Sequence, residues 1–366
     1  MGRPPMQGCG LWEETLMWKA VDDLLARGVA EGVFPGCAMA AGQGTRVLFT
    51  SVQGTLAHGD LRGVTHTTRY DVGALTQVMA AMPLMLYALE HGMVSLDDKL
   101  GRWIGEVPQD KRDITLLHLL THTSGMSPSF LLSQEAEGDC DALGALLRHP
   151  LAGSVGGKVR DSAMGFILLG MILEKVFAMP LDEAVKRFVT SSLRMSRTGY
   201  LPAGDDVAPA QSESESEEWQ AGQPQDGNAR FLHGVAGHAG LFTDLEDSIR
   251  FASMLAGDGR NEEGVVFSYR AVHLATTERT RGMNEARGYG FRITKRSDPF
   301  LGHLWPSDGY GLTDPASGSL IAVSPDDGFF VTLLLNSHGT PDDRREVARM
   351  HRLLLNAAYA AFQHDE

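Results

Sequence analysis

The stretch with the clearest chemical potential is a tight turn between a short strand and a long helix. Arg69–Val72 has strand-like composition, and Gly73 supplies a flexible corner. Helical spacing then follows in the apolar residues Leu75, Val78, Met79, Met82, Met85, Leu86 and Leu89. Ala74–Gln77 therefore falls in the first helical turn, where unpaired N–H groups and the positive end of the helix dipole converge. Such a turn is a common place for a nucleophile, but these side chains offer none.

The elements around this turn follow from hydrophobic periodicity and turn residues. Helices are predicted at Leu11–Gly32, Gly165–Val176, Asp244–Leu255 and Val347–Phe362. Strands are predicted at Cys37–Ala41, Val47–Val52, Tyr289–Ile293, Ser319–Val323 and Phe329–Leu335. Gly42–Gly44 and Ser324–Gly328 are expected to close two hairpins. Pro83 is expected to kink the long helix that follows the turn.

The segment Tyr70-Asp-Val-Gly-Ala-Leu-Thr-Gln-Val-Met79 resembles the active-serine segment of the class C β-lactamase, DD-peptidase and esterase superfamily. In that family the turn carries Ser-x-x-Lys, in which the lysine helps to deprotonate the serine. The resemblance puts Ala74 at the serine position and Gln77 at the lysine position. Ser-x-x-Lys occurs nowhere in the chain.

Other segments are similar to the same family over about Leu16–Phe362. Ile114-Thr-Leu-Leu-His-Leu-Leu-Thr-His-Thr-Ser-Gly-Met126 resembles a helix end, and Gly234-Val-Ala-Gly-His-Ala-Gly-Leu-Phe242 resembles a glycine-rich segment beside the pocket. His122 and Ser124 have the types of a base and a nucleophile, but the resemblance favours a structural role in capping backbone groups. His238 is expected to be a packing histidine bonded to backbone, with a pocket base as the alternative.

The family's second and third motifs also resemble segments of this chain with altered residues. The second, Tyr-x-Asn, aligns with Asp161-Ser-Ala163, and the third, Lys/His-Thr-Gly, aligns with Thr313-Asp-Pro315. The histidine of a loop before the glycine-rich segment aligns with Gln225, three residues before Asn228. The resemblance therefore implies that the proton-transfer residues are missing together.

In the family, backbone N–H groups at positions matching Ala74 and Ala316 form the oxyanion hole that binds the acyl oxygen, and the resemblance implies that these donors remain. Pro315 removes a neighbouring donor and is expected to shift its strand. Asp161 and Asp314 would face each other across the cleft, as an acid/base pair, a cation-binding site or two solvated loop aspartates. The residues expected to line the cleft are Ala74, Gln77, Asp161, Ala163, Asn228, His238, Thr313, Asp314 and Ala316. Low-ranked acid/base candidates are Asp161, Asp314 and His238.

The fold implied by the resemblance is α/β, of the β-lactamase/transpeptidase type, with an antiparallel sheet flanked by helices and an inserted all-α domain. We expect residues 11–66 together with 241–366 to form the sheet domain. Residues 67–240 would form the helical domain, with the cleft between the two.

Composition excludes several classes of function. The 366 residues carry 32 basic and 46 acidic side chains, for a net charge of −14, and no basic patch suggests nucleic acid or an anionic membrane. Cys9, Cys37 and Cys140 are too few and scattered for a disulfide framework or a metal site. The first ten residues lack the apolar core of a signal peptide, and no apolar run is long enough to cross a bilayer. A cytoplasmic protein without cofactors is expected, although a trimmed leader is not excluded; the oligomeric state is left open.

Three functional hypotheses follow. The first is a non-hydrolytic pseudoenzyme that binds a small amide, peptide-like or carboxylate ligand. The second is a repurposed enzyme that performs non-covalent acid/base chemistry with Asp161 and Asp314, helped by Thr313, His238 or His303. The third is a serine hydrolase whose nucleophile is Ser124 or Ser162.

Overall fold

The computed structural model of the chain describes residues 10–138, 141–209, 221–337 and 341–365. Cys9, Cys140 and the acidic segment 212–218, which the sequence analysis interprets as a solvated loop, lie outside the described residues, as does the side chain of Leu16.

The described strands form a six-stranded antiparallel sheet and two small sheets. The large sheet has the order β2-β1-β11-β10-β9-β8, and a three-stranded sheet has the order β3-β5-β4. The strands are β1 (Gly36–Gln43), β2 (Arg46–Gly54), β3 (Tyr70–Asp71), β4 (Gly199–Tyr200), β5 (Leu241–Thr243), β6 (Arg260–Asn261), β7 (Gly264–Val265), β8 (Arg292–Ile293), β9 (Tyr310–Thr313), β10 (Leu320–Ser324) and β11 (Phe329–Leu335).

Helices cover both faces of the large sheet. They are α1 (Gly10–Ala30), α2 (Met82–Glu90), α3 (Gly101–Ile104), α4 (Leu116–Leu120), α5 (Leu132–Glu135), α6 (Ala142–Arg148), α7 (Ala163–Phe177), α8 (Leu181–Val185), α9 (Gly227–Phe231), α10 (Leu245–Ala256), α11 (Tyr269–Thr276) and α12 (Pro341–Asp365). Short 3₁₀ turns lie at Gly73–Leu75 and Gln109–Lys111, and π-helical segments at Gln77–Ala81 and Lys186–Thr190.

The central strands are apolar on both faces because both faces are covered. In β11, Phe329, Val331, Leu333 and Leu335 pack into the core shared with α1 and α12. Phe330 and Leu334 point to the opposite core, shared with α10 and the helical region. This period of two is what a strand buried on both sides requires. The predicted hairpins β1–β2 and β10–β11 are confirmed.

The segment after Gly73 differs from the predicted single helix. It forms a 3₁₀ turn and then a π-helical segment, and becomes α-helical only at Met82. Pro83 has no N–H to donate to the carbonyl four residues earlier, and the N–H of Met82 instead bonds the carbonyl of Gln77. Pro83 therefore lies in the first turn of α2, directly after the π-helical segment, and the kink stays a prediction.

Two further predictions need limits. The strand predicted at Tyr289–Ile293 is shorter in the structure, where only Arg292–Ile293 forms a strand. The predicted α/β fold, with an antiparallel sheet flanked by helices, is confirmed. The division at residues 66 and 240 stays a prediction.

Within the described ranges, no single helix is both long enough and apolar enough to span a membrane. Helix α7 and the segment Leu181–Thr190 meet these two criteria only when they are taken together, and they are bent by 73° relative to each other.

Candidate ligand-binding cleft

A cavity of about 670 Å³ opens where the Gly73 turn meets the end of β9. Eight of the nine residues that the sequence predicts for the cleft line this cavity: Ala74, Gln77, Ala163, Asp161, His238, Thr313, Asp314 and Ala316. Asp71, Ser129, Asp226, Arg230 and Arg344 also line it. The cavity is therefore rich in carboxylates and hydrogen-bonding groups.

Asn228 is the predicted cleft residue that does not line the cavity. It is buried in α9, where its Oδ1 accepts the N–H of Leu132 and its Nδ2 donates to the carbonyl of Phe130. Its amide connects two loops. Asn228 is therefore not part of the cavity lining, in contrast to the prediction that it lines the cleft.

Asp314 makes the central contact of the cleft. Its Oδ1 accepts the backbone N–H of Ala74 at 2.9 Å, and its Oδ2 accepts the N–H of Ser317 at 2.6 Å. The side chain is only 5% exposed. Burial raises the pKa of Asp314 above its ordinary value, and the charge of Asp226 adds to this rise, whereas the two backbone donors oppose it. The donor that the resemblance assigns to an acyl oxygen is thus taken by a carboxylate of the chain itself.

The glycine of the turn makes room for that carboxylate. Gly73 has φ +47°, and a Cβ placed there would lie 2.4 Å from Cγ of Asp314. Only a residue without a side chain satisfies both the left-handed backbone and this approach. Gly73 and Asp314 are therefore matched to each other.

Pro315 acts differently from the prediction. β9 ends at Thr313, which pairs with Leu320, so Pro315 lies in the connecting turn and not in a strand. Asp314 closes that turn, because its N–H bonds the carbonyl of Ser319 and its carbonyl accepts from Gly318. A proline at a strand end removes no ladder bond.

Asp71 is a cleft residue that the sequence analysis missed. Its Oδ1 accepts the N–H of Gly73 at 2.9 Å and its Oδ2 accepts the N–H of Gln225 at 2.7 Å. Burial raises the pKa of Asp71 to about 7, and the charges of Asp314 and Asp226 raise it further against these donors. The sequence places Asp71 two residues before Gly73, so its nearness to the turn could be predicted. Its bond to the backbone of Gln225, which is distant in the sequence, could not.

Asp161 lines the cavity but belongs to a separate group of charges. Its Oδ2 accepts from the buried guanidinium of Arg287 at 2.8 Å, and its Oδ1 lies 3.8 Å from Nδ1 of His122. The side chain is 55% exposed, and partial desolvation opposes its ionisation, but the neighbouring Arg287 guanidinium outweighs this effect and lowers the pKa of Asp161. Asp314 has a raised pKa and different neighbours, and both residues line the cavity. Their predicted pairing as acid and base stays a prediction.

His238 contacts a carboxylate and not backbone, which corrects the predicted packing role. Its Nε2 lies 2.9 Å from Oδ1 of Asp226, and that same oxygen accepts the N–H of Ala229 at the beginning of α9. Burial favours the neutral acid, but the bond to His238 outweighs it and lowers the pKa of Asp226. Asp226 was missed because its partner lies twelve residues away across a loop.

Two buried polar atoms of the cleft lack hydrogen-bond partners among the described residues. They are Oε1 of Gln77 and Nδ1 of His238, on side chains that are 4% and 3% exposed. An unsatisfied buried polar atom is unfavourable by about 1–3 kcal/mol. Their presence on one cavity wall indicates a place for a polar ligand.

Ser124 and Ser162 are buried away from the cavity. Oγ of Ser124 accepts the N–H of Met126 next to Gly125 at φ +74°, as the structural interpretation predicted. Oγ of Ser162 accepts the N–H of Gly165 at the beginning of α7 and donates to the carbonyl of Ser127. The side-chain hydroxyls on the cavity lining belong instead to Ser129 and Thr313. His303 is not among the cavity residues.

Comparisons with known proteins agree with this architecture. An N-acetylmuramyl-L-alanine amidase of Bacillus subtilis (strain 168) is 23% identical, over 88% of this chain and 81% of the amidase. The structure of EstCE1, a hydrolase with promiscuous acyltransferase activity, is similar with a TM-score of 0.76 and 18% identity, over 95% of this chain and 99% of EstCE1. A class C beta lactamase from Rhodobacter sphaeroides has a TM-score of 0.72 and 18% identity, over 94% and 99% of the two chains. The model of the Beta-lactamase family matches residues 21–356, and the chain therefore belongs to that family.

Proposed function

We propose that this protein binds a small amide or peptide-like ligand in the cleft without hydrolysing it. The observation that carries the proposal is the bond between the Asp314 carboxylate and the N–H of Ala74. Acyl transfer needs free donors aimed at the developing oxyanion. A carboxylate held at the same donor excludes a negatively charged oxygen and repels a carboxylate ligand. Of the ligands that the sequence suggested, an amide or peptide-like molecule therefore fits best.

The side chains of the turn support the same conclusion. Ala74 and Gln77 stand where the resemblance places the nucleophile and its base, and neither can attack an acyl group or accept its proton at neutral pH. Loss of the nucleophile alone lowers turnover by on the order of 10⁶ in a comparable serine enzyme. The name of the Bacillus subtilis relative, an amidase, supports an amide-containing ligand.

A second candidate function is non-covalent acid/base chemistry, which the contact between His238 and Asp226 favours. A carboxylate that orients a histidine whose other nitrogen has no partner is a recurring arrangement for a general base. Asp161 and Asp314 suit this role less well, because Arg287 holds one and backbone N–H groups hold the other. A His238→Gln variant that abolishes turnover of a ligand while preserving its binding would favour this candidate.

Turnover of nitrocefin and of p-nitrophenyl acetate tests the first proposal. We expect rates equal to those of a Ser129→Ala variant, which removes the exposed hydroxyl of the cavity lining. Saturable hydrolysis by the unmodified protein would contradict the proposal, and its loss in Ser129→Ala would identify the nucleophile.

A further inference from the structure

We propose that the cleft recognises an organic ammonium group, so that its ligand is a cationic amide or peptide-like molecule with Asp314 as the main counter-ion. This inference rests on the proposed non-hydrolytic function and adds the charge of the ligand. It follows from the placement of three carboxyl groups and one unpartnered amide oxygen on a single cavity.

The carboxyl groups are Asp71, Asp226 and Asp314. All three line the same cavity. The charges of Asp314 and Asp226 add to the rise in the pKa of Asp71 that burial causes, and the charge of Asp226 adds to the rise for Asp314. Asp71 and Asp314 are buried, and their bonds go to backbone N–H groups that carry no full charge. Asp226 differs from these two, because it is paired with His238. A ligand that brings positive charge would stabilise Asp71 and Asp314, whose hydrogen-bond donors are neutral backbone groups.

The second observation is independent of the acids. Gln77 lines the same cavity, is 4% exposed, and its Oε1 has no partner among the described residues. An orphaned buried acceptor is satisfied by a ligand N–H. An ammonium group carries three such donors on one atom, which suits a site with several acceptors.

The charges on the cavity wall also decide against other ligands. An anion would lie against Asp314, which already holds the N–H of Ala74. Within the described ranges, no three His, Cys, Asp or Glu side chains converge closely enough to hold a metal ion. Of the two arginines on the lining, Arg230 donates to the carbonyls of Pro224 and Gln225, and Arg344 is exposed. A molecular cation of moderate size is therefore the best match to a cavity of about 670 Å³.

Three probes of similar shape and different charge test the inference. At pH 6 they are phenylalaninamide, whose amino group is protonated, N-acetylphenylalaninamide, which is neutral, and N-acetylphenylalanine, which is an anion. Binding is measured by isothermal titration calorimetry, and the amide ¹⁵N–¹H signal of Ala74 reports whether the probe occupies the cleft. We expect phenylalaninamide to bind at least about tenfold more tightly than either acetylated probe, the effect of one charge-assisted hydrogen bond.

Two variants locate the interaction. Asp314→Asn removes the proposed counter-ion and Gln77→Leu removes the unpartnered acceptor, and each is expected to weaken phenylalaninamide by at least about fivefold. Asp247→Asn is the matched control, because Asp247 is also a buried carboxylate with a raised pKa that accepts a backbone N–H, but it lies outside the cavity. Thermal unfolding of each variant verifies that it is folded.

Equal or tighter binding of an acetylated probe, no binding of phenylalaninamide, or unchanged affinity in both cleft variants would overturn the inference. These results are separate from the test of the proposed function. Hydrolysis of nitrocefin would refute the non-hydrolytic function, whereas a cleft that prefers the neutral amide would refute only the ammonium ligand.

Discussion

Asp314 changes the polarity of the cleft at the point where an acyl oxygen would bind. A residue with a small hydroxyl side chain at this position would leave the N–H of Ala74 available. The carboxylate instead accepts that N–H together with the N–H of Ser317, and burial raises its pKa. The backbone N–H groups of such a turn favour an anion. Here the Asp314 carboxylate takes the place of that anion and presents hydrogen-bond acceptors to the cavity.

Ser162 provides a prediction at the scale of a single residue. A Ser162→Ala variant should lower the free energy of unfolding by about 1–2 kcal/mol, because the hydroxyl caps α7 and bonds the carbonyl of Ser127. Urea unfolding measures the change, and Ser129→Ala, at an exposed position, should shift it by less than about 0.5 kcal/mol. Fluorophosphonate labelling of Ser162 would contradict this structural role.

The sequence identified the cleft better than it identified the contacts within it. Ala74, Gln77, Asp161 and Asp314 could be placed because each aligns with a family motif. Asn228 also lies in a segment that resembles the family. Its amide, however, bonds backbone groups of Leu132 and Phe130, so it does not line the cavity as predicted. Which way a side chain points within a loop depends on distant backbone, and a single sequence does not contain that information.

At the scale of elements, the cleft depends on the close approach of two turns. The 3₁₀ turn Gly73–Leu75 contacts the end of β9, and the pairing of Thr313 with Leu320 fixes where β9 ends. Asp314 is the first residue after that strand, so its carboxylate reaches the N–H of Ala74. The position of Asp314 is therefore set by the sheet, and the position of its partner by the glycine turn.

A Gly73→Ala variant tests the match between the two turns. We expect it to lower the free energy of unfolding by about 2–4 kcal/mol, because it adds a clash with Asp314 to the strain of a left-handed backbone. Gly44→Ala is the control, since Gly44 has φ +55° but open space around its Cβ position, and should lose only about 1–2 kcal/mol.

The double variant Gly73→Ala with Asp314→Ala distinguishes the clash from backbone strain. If the clash dominates, the double variant should be more stable than the sum of the two single changes implies, as urea unfolding would show. Strict additivity of the single changes would be the contrary result.

The regular helices and strands could be predicted from the sequence, whereas the irregular segments within them, such as the π-helical turn, could not. The alternating apolar residues of β11 and the hairpin at Ser324–Gly328 left one consistent interpretation. The π-helical segment Gln77–Ala81 has helical periodicity and cannot be told from an α-helix by spacing alone. The sequence shows a proline at position 83, but it does not show which backbone carbonyl then lacks an N–H donor. The change from π-helix to α-helix at this point could therefore not be predicted.

At the scale of the whole molecule, the stability should depend on pH through the buried acids of the cleft. The pKa of Asp71 is raised to about 7 from an ordinary value of 3.8, so the folded protein holds this proton more tightly than the unfolded chain. The contribution is complete below pH 3.8 and is lost as the pH rises through about 7. Relative to a variant without this group, the protein should therefore lose stability between about pH 4 and pH 7 and change little above that range.

An Asp71→Asn variant isolates that contribution. The difference in unfolding free energy between the unmodified protein and the variant should fall by about 2–3 kcal/mol between pH 5 and pH 8, at about 1.4 kcal/mol per pKa unit. The loss of a backbone hydrogen bond in the variant does not depend on pH and cancels in this comparison. Urea unfolding at several pH values gives the difference, and parallel curves would refute the raised pKa.

The central claim is that a cleft of the beta-lactamase family here binds its ligand without forming an acyl bond. Intact-protein mass spectrometry after incubation with benzylpenicillin and with a fluorophosphonate tests it most directly. We predict an unchanged protein mass with both reagents. A stoichiometric adduct that maps to a residue of the cavity lining would contradict the claim.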